Sequence, residues 1–239
     1  MPEHVADKSV NLILADLPFG VTQHKHDKII PFPELWQNYG RIIKDNAAIL
    51  LFAQGTFYVD LVNSNRKMFR YDLVWDKQLS TGHLNANRMP LRIHEQVAVF
   101  YKKQPVYNPQ FTKGRPIHSK GKSYKQKLHV NNNYGKFEPL ESDGRTEKHP
   151  TSILSFQKPH SSSALHRTAK PIELLEYLIL TYSNEGDVVL DNTMGSGGTG
   201  VAAVNWNRSF IGIEEDTHIF NKAKKLIENA KIKPKIFYS

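Results

Sequence analysis

The stretch Asp187-Val188-Val189-Leu190-Asp191-Asn192-Thr193-Met194-Gly195-Ser196-Gly197-Gly198-Thr199-Gly200 decides the fold. Its first five residues form a short apolar run closed by an acid, as expected of a strand covered on both faces. The glycines that follow turn the chain tightly, and Val201 to Trp206 read as the body of a helix. A strand, a glycine turn and a helix start bring backbone amides and the positive helix end to one point, where an anionic or polar ligand binds. The next strand, Ser209 to Glu214, ends in an acid 23 residues beyond Asp191, where a carboxylate accepts both hydroxyls of a ribose. The pairing selects a ligand that contains a nucleoside.

Working outward, the same alternation recurs. Ser9 to Asp16 is an apolar strand ending in an acid, with the breakers Pro18 and Gly20 behind it. Phe32 to Asp45 carries Trp36, Tyr39, Ile42 and Ile43 at helical spacing; Asn46 ends the pattern and Ala47 to Ala53 is a second strand. Gln54 to Arg66 is predicted helical, and Tyr71 to Trp75 and Gln96 to Tyr101 are strands separated by the polar stretch STGHLNANRMP, long for a hairpin loop. Pro171 to Tyr182 has proline at a first-turn position and Leu174, Leu175, Leu178 and Ile179 on one stripe. Thr217 to Ala230 is a helix with Thr217 as its cap, and Lys235 to Tyr238 a last edge strand. Strands alternating with helices predict an α/β fold with a mostly parallel sheet, its ligands at the carboxyl ends of the strands.

The chain has 239 residues, 39% of them hydrophobic, and no cysteine. Disulfides, thiolate nucleophiles and cysteine-bound zinc are thereby excluded. No apolar run approaches the roughly 18 residues of a membrane span, and the first residues do not resemble a secretion signal, so an intracellular, cytoplasmic protein is expected. The net charge of +9 is concentrated: nine of the 32 bases fall between Lys102 and Lys136, where there is no Asp or Glu. The rest of the chain carries 23 bases against 23 acids. Residues 102–155 therefore read as a basic, loop-rich insert between two halves, 1–101 and 156–239. Phosphate neutralisation makes nucleic acid its expected partner. Tyr107, Phe111, Tyr124, Tyr134 and Phe137 interleave with its lysines and suit base or sugar packing.

Residues 195–200 also match G-x-G-x-x-G, so a nicotinamide dinucleotide competes with S-adenosylmethionine. Asp191 would repel a pyrophosphate and suits the amino group of a methionine moiety, and the 39 residues after Gly200 are too few for a second mononucleotide half. S-adenosylmethionine fits better. At the first strand end, Asp16-Leu17-Pro18-Phe19 offers what methylation of an exocyclic amine needs. Asp16 accepts an N–H, the Leu17 carbonyl orients the nitrogen lone pair, Pro18 stiffens the turn and the Phe19 ring holds a base.

Asp16-Leu17-Pro18-Phe19 resembles the Asp-Pro-Pro-Tyr motif of amino-methylating DNA methyltransferases. Asp191 to Thr199 resembles their cofactor motif Asp-Pro-Phe-x-Gly-Ser-Gly-Thr-Thr, and His166-Arg167-Thr168-Ala169-Lys170-Pro171 resembles their His-Pro-Thr-x-Lys-Pro segment. The order, catalytic motif, basic insert, cofactor motif, is similar to that of the β group of N6-adenine and N4-cytosine enzymes. The resemblance implies a class I S-adenosylmethionine-dependent methyltransferase (Rossmann-like) fold. It implies cofactor contacts from Thr168, Lys170, Asp191, Thr193, Gly195, Ser196, Gly197, Thr199 and Glu214, and no metal. The insert becomes a target recognition region gripping double-stranded DNA through Lys113, Arg115, Lys120, Lys122, Lys125 and Lys127.

Asp rather than Ser at the head of the tetrapeptide implies adenine N6 as the target, with cytosine N4 as the alternative. The resemblance also admits a homodimer, a cognate restriction endonuclease and a bacterial or phage-infected host cell. Leu17 and Phe19 depart from the family's proline and tyrosine, which keeps a catalytically degenerate DNA-binding homologue in view; a dinucleotide-dependent oxidoreductase is the other alternative. An edge strand that the family places ahead of its catalytic strand is missing before Ser9, and Lys235-Ile236-Phe237-Tyr238-Ser239 is expected to supply it. His24-Lys25-His26-Asp27 is expected to be a solvated loop rather than a metal site, and His83, Asn85, Asn87 and Arg88 a loop that faces DNA or solvent.

Overall fold

The computed structural model describes residues 5–21, 27–115, 146–158 and 169–233, together with the backbone of 129–131 and 135–137. In chain order the elements are β1 (Val10–Asp16), α1 (Phe32–Ile42), β2 (Ile43–Ala53), α2 (Gly55–Ser64), β3 (Phe69–Thr81) and β4 (Arg92–Phe100). Then come β5 (Thr112–Lys113), β6 (His129–Asn131), β7 (Gly135–Phe137), β8 (Glu147–Lys148) and β9 (Ile153–Ser155). The last are α3 (Ile172–Tyr182), β10 (Val188–Asp191), α4 (Gly198–Asn205), β11 (Ser209–Gly212) and α5 (Thr217–Glu228).

Seven strands form one sheet in the order β11-β10-β1-β2-β4-β3-β9. All neighbours are parallel except β4, which runs antiparallel to both β2 and β3. One antiparallel strand in an otherwise parallel sheet, with helices on both faces, agrees with the α/β fold expected from the sequence. Alternation along β1 sends Ile13 and Ala15 to one face, under α1 and α2, and Leu12 and Leu14 to the other, under α3 and α4. On α1, Leu35, Tyr39 and Ile42 recur at helical spacing and are buried on the first face. The chain leaves β1 through α1 toward β2 and leaves β10 through α4 toward β11, in opposite directions along the sheet. The carboxyl ends of β1 and β10, paired Leu12 with Val189 and Ile13 with Leu190, therefore flank the point where the strand order reverses, the crevice in which open α/β sheets bind ligands.

Several boundaries differ from the sequence reading. β2 begins at Ile43 rather than after Asn46, because the β1–β2 register slips between Val10, opposite Ile43, and Leu12, opposite Ala48; Asn46 lies in that irregular stretch. β3 and β4 reach Thr81 and Arg92, so the polar stretch is the far end of a long hairpin, turned by Gly82 at φ +90° and a 3-10 turn over His83–Asn85. α4 starts at Gly198, and the cap of α5 is Asp216, whose carboxylate accepts from the amides of His218 and Ile219, not Thr217. The separate unit spans Pro109–Thr151, narrower than 102–155. Ile153–Ser155 is a strand of the main sheet, and Lys102 and Lys103 pair with Asp45 of the main body. Within the smaller unit β5 pairs with β8 and β6 with β7, each antiparallel. Lys235 to Ser239, with the proposed edge strand, lies outside the described residues.

Candidate active site

Asp16 closes β1, after the apolar run Leu12 to Ala15. Its Oδ2 accepts a hydrogen bond from Lys170 Nζ at 2.5 Å; its Oδ1 is buried and has no hydrogen-bond partner among the described residues. Burial pushes this carboxyl above its ordinary range, against the pull of the Lys170 ammonium. Leu17 is buried in the face under α1, so the residue that stands in for proline packs as a core side chain. Phe19 is half-buried and stacks on Phe57 with centroids 4.9 Å apart. Behind it, Gly20 at φ +68° lets the chain fold back, and the amides of Gly20 and Val21 donate to the Asp27 carboxylate at 2.7 and 3.0 Å. Asp27 is thus the clasp of this loop. Residues 22–26, including His24 and His26, lie outside the described residues, among which no group of three or more metal-ligating side chains occurs.

At the end of β10, Asp191 is buried and used by its own turn: Oδ1 accepts the Thr193 amide at 3.0 Å and Oδ2 the Thr199 hydroxyl at 2.6 Å. Burial pushes its carboxyl up to about 7, even though the bonds from Thr199 and Thr193 pull it down. Thr193 Oγ1 donates to the backbone carbonyl of Asp16 at 3.0 Å, and buried Tyr39 donates to Asn192 Oδ1 at 2.6 Å. Two groups of the first motif's neighbourhood are thereby tied to the second motif.

The glycines divide by task. A Cβ on Gly200 would lie 2.4 Å from Ile227 Cδ1 and 2.7 Å from Phe210 Cε1, and one on Gly197 3.0 Å from the Ala223 Cβ, so these two let α4 pack against β11 and α5. A Cβ on Gly195, at φ +49°, would meet only the Thr193 carbonyl oxygen, at 3.9 Å, and half-buried Ser196 follows it. Gly195 also donates its amide to Glu214 Oε2 at 3.1 Å, while Asp216 donates to Oε1 at 2.9 Å. The Glu214 carboxylate is thus fixed beside an uncrowded glycine turn at the crevice, a donor and acceptor set that fits a ribose with its attached methionine chain.

Lys170 is placed immediately before α3, with its ammonium 4.9 Å from the Phe52 ring centroid and 6.0 Å from that of Trp75. Two residues absent from the sequence reading complete its surroundings. Glu95 Oε2 lies 3.4 Å from Lys170 Nζ, and Glu95 Oε1 3.4 Å from the Nζ of Lys77, which is 2% exposed. Burial would lower the Lys170 ammonium, but the carboxylates of Asp16 and Glu95 hold it above its ordinary value; burial would raise Glu95, yet Lys170 and Lys77 hold it below. A signal for both was present: Trp75 and Lys77, and Glu95 and Val97, alternate in phase with buried apolar residues.

Thr168, with His166 and Arg167, lies outside the described residues, as do Lys120, Lys122, Lys125 and Lys127. Lys113, opposite Glu147 on β5, and Arg115 are exposed in the smaller unit. In the main unit a cleft lined by Val21, Gln54, Gly55, Thr81, Asn85 and Arg92 opens beside the loop that follows Phe19.

Residues 10–225 match the N6_N4_Mtase family model, described as DNA methylase, and the chain belongs to that family. It is a DNA methyltransferase of the N6/N4 group, with S-adenosylmethionine as its cofactor. Among its relatives, the type II methyltransferase M.HpaI of Haemophilus parainfluenzae is 26% identical over 95% of this chain and 71% of its own. M1.MboII of Moraxella bovis is 25% identical over 96% and 94%. The crystal structure of the M1.HpyAVI-SAM complex superposes with a TM-score of 0.59 at 25% identity, covering 91% of this chain and 88% of that one. The PvuII cytosine-N4-specific enzyme shares the fold with a TM-score of 0.59 at 13% identity. Family membership sets the oxidoreductase reading aside.

Proposed function

We propose that this methyltransferase modifies the exocyclic N6 of adenine within a specific sequence of double-stranded DNA. The observation that carries the reading is Asp16: one carboxylate oxygen is occupied by Lys170 and the other is buried without a partner among the described residues, an acceptor prepared for an N–H. The head residue being Asp, rather than the Ser that the resemblance associates with cytosine N4, favours adenine.

S-adenosylmethionine supplies an electrophilic methyl group on its sulfonium. In this reading Glu214 would hold the ribose hydroxyls and the turn from Thr193 to Gly197 would hold the methionine chain, while Asp191 and Thr199 keep that turn in shape. The target base leaves the duplex, at a cost of a few kcal/mol, and stacks on Phe19, whose ring is already steadied by Phe57. Asp16 Oδ1 and the Leu17 carbonyl accept the two amine hydrogens and turn the nitrogen lone pair toward the methyl carbon. The N–C bond forms as the C–S bond breaks, and the surplus proton on nitrogen passes to Asp16. Alignment of this kind is worth several kcal/mol of barrier.

The unit Pro109–Thr151 is the proposed target recognition region, with Lys113 and Arg115 on phosphates. The test is incubation of unmethylated DNA with the protein and S-adenosylmethionine, followed by nucleoside mass spectrometry. N6-methyladenine is expected; N4-methylcytosine would move the assignment to the other amine, and no product from protein that binds the cofactor would mark a degenerate homologue.

A further inference from the structure

We propose that Glu95 is a positioning residue: it holds the Lys170 ammonium on Asp16 Oδ2, so that Oδ1 alone is presented to the substrate amine. The inference rests on the reading of Asp16 as the amine's acceptor. Asp16, Lys170, Glu95 and Lys77 form a line of alternating charge across four separate segments, with contacts of 2.5, 3.4 and 3.4 Å. The line is neutral as a whole. Its middle members are nearly sealed from solvent, the side chains of Lys170 and Glu95 each being 11% exposed.

The sheet accounts for the placement. Asp16 is opposite Phe52, Phe52 opposite Val97, and Glu95 opposite Trp75. Because side chains alternate, Leu12, Leu14, Phe52, Val97 and Trp75 share the face under α3, and Asp16, Glu95 and Lys77 are in phase with them. Lys170 enters this face just ahead of α3, above the Phe52 and Trp75 rings. A lysine ammonium is a point charge on a flexible stem, so one carboxylate contact leaves it free to swing. A second carboxylate, itself pinned by Lys77, which also reaches Thr81 Oγ1 at 3.4 Å, confines it. With Lys170 confined, the Asp16 carboxyl does not exchange its oxygens, and the acceptor keeps one position relative to the cofactor turn. Glu95 Oε2 itself has no hydrogen bond, only the ion pair, so nothing else in the described residues occupies it in place of Lys170.

The test compares Glu95→Gln, the double variant Lys77→Met/Glu95→Gln and Asp16→Asn on DNA that the parent methylates. Glu95→Gln is expected to lower kcat roughly ten- to hundred-fold, the range of a misplacement near 1 Å, with KM for cofactor and DNA within about twofold. Glu95→Gln leaves Lys77 buried without its partner; the double variant removes that charge and is expected to recover the parent Tm while kcat stays low. If Glu95 only neutralised Lys77, the double variant would recover kcat as well, and the proposal would be overturned. Parent kcat in Glu95→Gln would overturn it too. If Glu95→Gln does not fold, the double variant decides alone. Parent activity in Asp16→Asn would instead mean that the reading of Asp16 had failed, independently of Glu95.

Discussion

The Thr193 hydroxyl donates to the backbone carbonyl of Asp16 across 3.0 Å, joining the glycine turn after β10 to the end of β1. This bond adds to the β1–β10 pairing in holding the cofactor turn and the proposed amine acceptor in one frame. Thr193→Val keeps the shape and deletes the donor. It is expected to cost about 1 kcal/mol of stability in urea denaturation and to slow single-turnover methyl transfer about tenfold. A rate equal to the parent's would show that the two strand ends hold their spacing without this bond.

Asp16→Ala should lower turnover by roughly 100- to 10,000-fold, the usual range for loss of a proton-transfer partner. Lys170 keeps Glu95 as a buried counter-charge, so the fold and the cofactor affinity, measured by titration calorimetry, are expected to change little.

Asp191 brings a pH dependence of stability. Its folded value of about 7 stands above the unfolded value of 3.8, so the folded state holds a proton that the unfolded state has lost between them. The contribution is full below about pH 4 and is lost as pH rises through about 7. Denaturation midpoints of Asp191→Asn should therefore fall less than the parent's between pH 5 and pH 8, to the nearest ~1 pH unit; parallel curves would contradict the assignment to Asp191.

Gly200→Ala and Gly195→Ala should separate packing from backbone strain. The Cβ on Gly200 meets Ile227 and Phe210 well inside contact distance, an overpacking expected to cost about 1–3 kcal/mol. On Gly195, at φ +49°, it meets only the Thr193 carbonyl oxygen at an ordinary 3.9 Å, so only backbone strain of about 1 kcal/mol is expected, while cofactor affinity falls because the open turn is narrowed. Thermal melts with and without cofactor resolve the two.

Raising salt should weaken DNA binding steeply. Lys113→Ala and Arg115→Ala should each flatten the slope of log affinity against log salt by about 1 if the side chain neutralises a phosphate. An unchanged slope would remove that residue from the interface.

Much of the fold was legible because its signals are local. The acid-ended apolar runs at Asp16 and Asp191 and the glycine turn between β10 and α4 mark a mostly parallel sheet with its ligands at the carboxyl ends of the strands. Two local details went the other way for local reasons. Asp216 outcompetes Thr217 as a cap because its carboxylate takes two amides. Asn46 interrupts a pattern without ending a helix, since a register slip absorbs it. The missing Cβ atoms of Gly197 and Gly200 also make room for α5 and β11, a packing role that the motif alone does not reveal.

From the sequence alone come the strands and helices on either side of the insert, the two motifs and the basic insert between them, because periodicity, turn chemistry and charge clustering act over a few residues; β9, a three-residue strand, carries no such signal. Only the tertiary structure decided that Lys170 sits on Asp16, 154 residues away, with Glu95 and Lys77 behind it. Alternation shows which face of a strand a charge occupies, but not which strands lie side by side. It is the β1-β2-β4-β3 order, with α3 laid over it, that brings four charges from separate segments into one line, where each has an opposite charge beside it.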